Sequence, residues 1–160
     1  MKRAIYPGTF DPITFGHVDI IKRASLIFDK IIVAVVKNSF KDTLFSYEER
    51  VNLLKKATKG IKKIEVEGFE GLVVDFAVKK NINVIIRGLR MISDFEYEFQ
   101  MALTNRKLSS RIETIFLMPH AGYSYLSSRL VKEIASLGGN LDDFLPRVCV
   151  SALNKKIGRR

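Results

Sequence analysis

Residues 31 to 36, Ile-Ile-Val-Ala-Val-Val, form a continuous and mostly β-branched run of strand length. A strand that is apolar on both faces must be covered on both, as it is inside a parallel sheet. Four further runs have strand length: 2–6 (KRAIY), 63–67 (KIEVE), 82–87 (INVIIR) and 112–118 (IETIFLM). The alternation in 63–67 predicts one exposed face.

Helical spacing fills the gaps. Val18, Ile21, Ala24 or Ser25, and Phe28 recur through 17–29, while Leu72, Val73, Phe76 and Ala77 mark 71–80. Ser46 and Glu49 form a capping box ahead of Val51, Leu54 and Ala57, which predicts a helix over 46–58. Phe95, Phe99, Ala102 and Leu103 predict an apolar face on 94–108, with Asp94 as N-cap, and a helix over 127–137 stops at Gly138-Gly139. Strands alternating with helices imply a parallel sheet. The expected fold is α/β: a Rossmann-like open parallel five-stranded sheet with helices on both faces, in a single domain over residues 1–160.

Composition narrows the function. No apolar run approaches the ~20 residues that span a bilayer, and Met1-Lys2-Arg3 leads into too short a run for a signal peptide, so a cytoplasmic setting without membrane is expected. One cysteine, Cys149, among Val148, Val150 and Leu153, excludes an internal disulfide and reads as a buried or half-buried thiol. Two histidines make a histidine-built zinc site unexpected. A net charge of +10, from 27 basic and 17 acidic residues, favours anionic partners without choosing among them. Residues 154–160 (NKKIGRR) are expected to be a frayed basic tail, and Leu137, Leu141, Phe144 and Leu145 to serve either an interface or intrachain packing.

The segment YPGTFDPITFGH, residues 6–17, lies where the first strand feeds the first helix. Ligands of open α/β sheets bind at such strand ends. Pro7 is expected to end the strand, Gly8 to permit close backbone approach, and Gly16-His17 to open a helix whose N-terminus suits phosphate. Thr9, Thr14 and His17 could add donors, although histidine there can also serve only as a cap. The segment is neither a G-x-G-x-x-G fingerprint nor a Walker A loop.

Thr14-Phe15-Gly16-His17 resembles the T/H-x-G-H signature of the nucleotidyltransferase superfamily, and RAIYPGTFDPIT resembles the N-terminus of the bacterial phosphopantetheine adenylyltransferases. Two more blocks agree in order and spacing: Ile86-Arg87-Gly88-Leu89-Arg90 with Asp94-Phe95-Glu96-Tyr97-Glu98, and Tyr123-Ser124-Tyr125-Leu126-Ser127-Ser128 with Leu130-Val131-Lys132-Glu133. The resemblance implies AMP transfer from ATP to 4′-phosphopantetheine, giving dephospho-coenzyme A and pyrophosphate. It assigns His17, Lys41 and Arg90 to catalysis, and Thr9, Lys41, Val73 and Arg87 to the acceptor. It assigns Thr9, Phe10, His17, Gly88, Leu89, Arg90, Glu98 and the stretch Tyr123, Ser124, Tyr125, Leu126, Ser127, Ser128, Arg129 to ATP. It further implies Mg2+ carried by ATP with no dedicated metal site, a homohexamer, and coenzyme A as a feedback inhibitor.

Alternatives stand beside these roles. Arg87 or Arg90 could form a structural ion pair with Asp94 or Glu96, Glu98 could pair with a cation, and Ser127 or Ser128 could cap a helix. Val73 reads equally as core, His120 as structural, and Asp11 as a loop stabiliser. Asp42, Arg129 and Tyr123 depart from residues common in the family. A related nicotinate-mononucleotide adenylyltransferase or cytidylyltransferase is the nearest rival. A nucleic-acid-binding module, suggested by charge, lacks aromatic, zinc or basic-helix motifs, so no nucleic-acid partner is expected.

Overall fold

In the computed structural model, which describes residues 1–37 and 42–158, the run at 31–36 becomes the second strand of a fully parallel sheet. The strands are β1 (Arg3–Gly8), β2 (Lys30–Val36), β3 (Ile64–Phe69), β4 (Val84–Gly88) and β5 (Glu113–Leu117), ordered β3-β2-β1-β4-β5. Helices α1 (Phe15–Ile27), α2 (Tyr47–Ala57), α3 (Val73–Lys79) and α4 (Ile92–Leu108) alternate with them, and α5 (Ser128–Ser136) and α6 (Arg147–Lys156) follow.

The sheet separates two cores because successive side chains point to opposite faces. Ala4, Tyr6, Val33 and Val35 face a core shared with α1, α2, α5 and α6; Ile5, Ile32, Ala34 and Ile85 face a smaller one with α3. Ile5, Ile31, Ile32 and Ile85 are at most 1% exposed. Burying a side chain of that size stabilises by ~1.5–3 kcal/mol. Ser46 and Glu49 make the expected capping box on α2, and Gly138, at φ 89°, follows the end of α5 in a conformation that favours glycine. Cys149 is fully buried, and burial pushes its thiol up to about 12.

The sheet order reverses direction between β1 and β4. Beside β2, β1 keeps register from Arg3↔Lys30 to Gly8↔Val35, whereas beside β4 it is registered at Ile5↔Ile85. Pro7 does not end the strand as expected; it lies within β1, opposite Ala34. Its carbonyl accepts from Arg87 Nη1 of β4 at 3.3 Å. The connections that follow β1 and β4 run in opposite directions, which leaves a crevice at the carboxyl ends of the two strands.

Four other expectations change. Helix α4 starts at Ile92 with Met91 as its uncapped N-cap residue, and Asp94 sits in the first turn, bonded to Arg90. The α4 apolar face is not core: Phe95, Phe99 and Leu103 are 47–48% exposed, while Glu98 and Asn105 are the buried residues of that helix. Helix α6 was unforeseen. It takes in Asn154–Lys156, so those residues are not a frayed tail, and Lys156 bonds to Glu49. Leu141 and Leu145 are core, while Leu137 is exposed.

Candidate active site

Helix α1 begins beside this crevice. Thr14 is its N-cap, and His17 completes a capping box in the position usually filled by Glu or Gln. The Thr14 main-chain N–H donates to His17 Nδ1 at 3.1 Å, and Thr14 Oγ1 lies 3.0 Å from the same nitrogen while accepting from His17 N–H at 3.4 Å. Burial and then the positive charges of Arg90 and Arg87 push this imidazole down to about 4. It is therefore neutral at physiological pH. Because Nδ1 accepts, the single ring proton is on Nε2. The ring edge facing the cleft is a donor without a formal charge.

The loop before it is rigid by packing. Phe10 adopts φ 51° and is buried, edge-on to both Tyr6 and His17. A Cβ on Gly8 would stand 2.7 Å from the Phe10 ring, so glycine there lets the ring fold back over the strand end. From α2, the buried Arg50 donates to the carbonyls of Thr9 (2.8 Å), Val36 (2.9 Å) and Lys37 (3.3 Å), tying together the ends of β1 and β2. Asp11 is buried and accepts from Phe45 N, Leu44 N and Lys132 Nζ.

The end of β4 supplies two arginines. Arg87 makes a bidentate pair with Glu98 at 2.5 and 2.7 Å. Burial pulls hardest against its charge, but the Glu98 hydrogen bonds and the negative charge of that carboxylate together outweigh it and hold the guanidinium above the ordinary arginine value. Arg90 pairs with Asp94 at 3.0 Å and donates to the Leu126 carbonyl at 2.8 Å. A pair of the kind weighed in the sequence thus exists for Arg90, while Arg87 chooses Glu98 over Asp94 or Glu96. Tyr6, buried below them, is pushed up to about 12 by burial and keeps its proton.

The third wall is the start of α5. Ser127 is its N-cap, accepting from Leu130 N–H at 3.0 Å, and Ser128 Oγ donates to the Pro12 carbonyl at 2.8 Å. Together the three turns enclose a cleft of about 700 Å³ lined by Thr9, Phe10, His17, Arg87, Gly88, Arg90, Glu98, Leu126, Ser127, Ser128 and Arg129. An adjoining hollow of about 190 Å³ shares Pro7, Arg87, Tyr97 and Glu98 with it and adds Val73, Met101 and Asn105.

The cytidylyltransferase-like family matches residues 5–134. The chain is 58% identical over 156 residues to the phosphopantetheine adenylyltransferase of Caldanaerobacter subterraneus subsp. tengcongensis, covering 98% of each. The chain belongs to the phosphopantetheine adenylyltransferase family. The Clostridium novyi member of that family is 53% identical over 159 residues, covering 99% of each chain. A solved structure from Vibrio parahaemolyticus, provisionally assigned as a nicotinate-nucleotide adenylyltransferase, superposes with a TM-score of 0.72 over 100% of this chain and 97% of that one, at 19% identity, which bears on the fold alone.

Most residues singled out by resemblance to the phosphopantetheine adenylyltransferases meet at the cleft or its adjoining hollow. Leu89, Tyr123, Ser124 and Tyr125 do not line it. Leu89 N–H donates to Leu117 O, and Tyr123 closes the 3-10 turn Ala121–Tyr123 and packs on Phe15 and His120. Ser124 Oγ donates to Ala121 O, and Tyr125 packs on Phe144. His120 caps that turn by accepting from Gly122 N–H, the structural role considered for it. Lys41 lies outside the described residues. Sequence reasoning missed Arg50, and it quoted Lys132 only as part of a family block without giving it a role. Lys132 did carry a signal: it falls four residues after Ser128, on the same helix face.

Proposed function

We propose that this chain transfers AMP from ATP to 4′-phosphopantetheine in the cytoplasm, forming dephospho-coenzyme A and pyrophosphate. An oxygen of the acceptor's phosphate attacks the α-phosphorus of ATP, and the bond from that phosphorus to the bridging oxygen breaks as pyrophosphate leaves. A phosphate monoester is largely ionised at neutral pH and needs no general base. It needs alignment with a second anion and relief of the charge between them.

One observation carries this reading: at the reversal of the sheet order, a neutral histidine donor, two arginines and two helix N-termini face a single cleft. Within it, His17 Nε2–H donates to the transferring phosphoryl group. Arg90 balances charge at the reacting centre, and Arg87 with Val73 receives the acceptor. The Ser127 hydroxyl and the main-chain N–H groups at the start of α5, that of Ser128 among them, hold the outer phosphates. The relay also includes Lys41 by resemblance. Asp11, Asp94 and Glu98 are each engaged by cations or main-chain donors. Magnesium enters as part of the nucleotide substrate, held by phosphates and water.

Self-association into a homohexamer belongs to the same proposal. The exposed Phe95, Phe99 and Leu103 of α4, beside the edge strand β5, supply an apolar surface for contact between copies. Coenzyme A, which contains both halves of the product, competes for the same cleft as a feedback inhibitor. The decisive experiment follows pyrophosphate release with magnesium-ATP and 4′-phosphopantetheine, and detects dephospho-coenzyme A by mass. Transfer to nicotinate mononucleotide in preference to 4′-phosphopantetheine would overturn the proposal.

A further inference from the structure

We infer that Asp11 and Lys132 form a positioning pair that fixes the N-terminus of α5 against that of α1, so that the phosphoryl-facing groups on the two helices keep a set separation. The inference builds on the reading of the cleft as the adenylyl-transfer site.

Asp11 is 4% exposed, which obliges its carboxylate to find donors. It finds them on two other segments. Oδ1 accepts from Phe45 N–H at 2.9 Å; Oδ2 accepts from Leu44 N–H at 3.0 Å and from Lys132 Nζ at 2.6 Å. Three chain segments thus meet at one side chain: the loop after β1, the approach to α2, and α5.

A second bond lies one helical turn away. Ser128, four residues before Lys132, donates from Oγ to the Pro12 carbonyl at 2.8 Å. Residues four apart stack on one helix face. Two points on that face are therefore fastened to the adjacent residues Asp11 and Pro12. A single tether would leave the helix free to swing about it; two, roughly 6 Å apart along the axis, resist swinging and sliding. Thr14, the N-cap of α1, comes two residues after Pro12, and Ser127, the N-cap of α5, comes just before Ser128. The brace therefore sits beside both helix starts, at the wall of the cleft, which Asp11 and Lys132 also line. With its ammonium bound to Asp11, Lys132 acts through the helix position, while His17, the Ser127 hydroxyl and the main-chain N–H groups at the start of α5 face the reactants.

The test compares Lys132→Met, Asp11→Asn, the double variant and Lys132→Arg in steady-state assays with both substrates, alongside thermal melts. A misplacement of about 1 Å can cost on the order of 100-fold in rate, so Lys132→Met and Asp11→Asn are each expected to lower kcat by ~10–100-fold with KM values within ~3-fold of the parent. The double variant is expected to be no worse than the worse single one, and Lys132→Arg to recover kcat to within ~3-fold of the parent. Losses that multiply in the double variant would overturn the pairing. A raised KM for ATP with unchanged kcat in Lys132→Met would show direct phosphate contact and overturn the positioning role, as would a lowered melting temperature with unchanged kcat. If Asp11→Asn does not fold, Lys132→Met and its arginine rescue still decide the matter. An inactive parent chain would overturn the functional reading and this inference together, an outcome distinct from every variant-specific result.

Discussion

The Thr14 main-chain N–H donates to Nδ1 of His17, and that bond sets which ring nitrogen carries the proton. The histidine caps its own helix with one nitrogen and leaves the other as a donor toward the cleft. The two tasks are separable by mutation.

His17→Asn retains a short acceptor for the Thr14 amide but removes the Nε2 donor. His17→Ala removes both. Losing a preorganised donor costs about 2.7–4 kcal/mol of activation energy, so both variants are expected to lose ~10²–10³-fold in kcat. Losing the cap costs ~1 kcal/mol of stability, which is expected in His17→Ala only. Pyrophosphate-release kinetics beside urea unfolding separate the two. Near-parental turnover in either variant would remove His17 from catalysis.

The same histidine makes a pH signature. Folded, it titrates near 4; in the unfolded chain it titrates near 6.5. Between these values the unfolded state binds more protons, so stability rises with pH through this window. Its contribution is complete above about 6.5 and is lost as the pH falls toward about 4. Urea unfolding at neutral pH and at about pH 4.5 is expected to show a larger acid loss in the parent than in His17→Asn. Correspondingly, kcat/KM of the parent is expected to carry no His17 ionisation near 6.5, because that profile reports the free enzyme.

Arg50 is 1% exposed and spends its guanidinium on three main-chain carbonyls at the ends of β1 and β2. Arg50→Met leaves those carbonyls without their donor. At ~1–3 kcal/mol for each buried unsatisfied group, a loss of about 3 kcal/mol or more is expected in chemical denaturation. Arg50→Lys, a single point donor, is expected to recover only part of it. An unchanged unfolding midpoint in Arg50→Met would contradict this role.

The apolar side of α4 offers a solution test. Phe95 and Phe99 stack with ring centroids 5.6 Å apart, each about half exposed. Phe95→Glu or Leu103→Glu is expected to reduce the molar mass of the proposed homohexamer in light scattering while leaving the circular dichroism of the chain intact. An unchanged assembly would move the interface elsewhere.

Elements whose fate is decided locally were readable before any coordinates. The β-branched run of β2 and the Ser46/Glu49 box needed only their own residues, and the T-x-G-H segment announced its helix start. What escaped was set by distant partners. Arg50 meets Thr9 across 41 positions and Lys132 meets Asp11 across 121, distances no periodicity encodes. Helix α6 lacks a side-chain cap and ends in basic residues, so its charge read as a tail although Cys149 and Leu153 reach the core. In α4 the spacing identified an apolar face correctly but could not say whether this chain or another covers it.

The strand order has a consequence for how such a pocket is made. In an open parallel sheet, neighbours whose onward connections diverge leave a hollow between their ends without any loop being needed to carve it. β1 and β4 are that pair here, and the Pro7 carbonyl receives Arg87 across the hollow. Binding space of this kind is written into the sequence in which the strands are laid down.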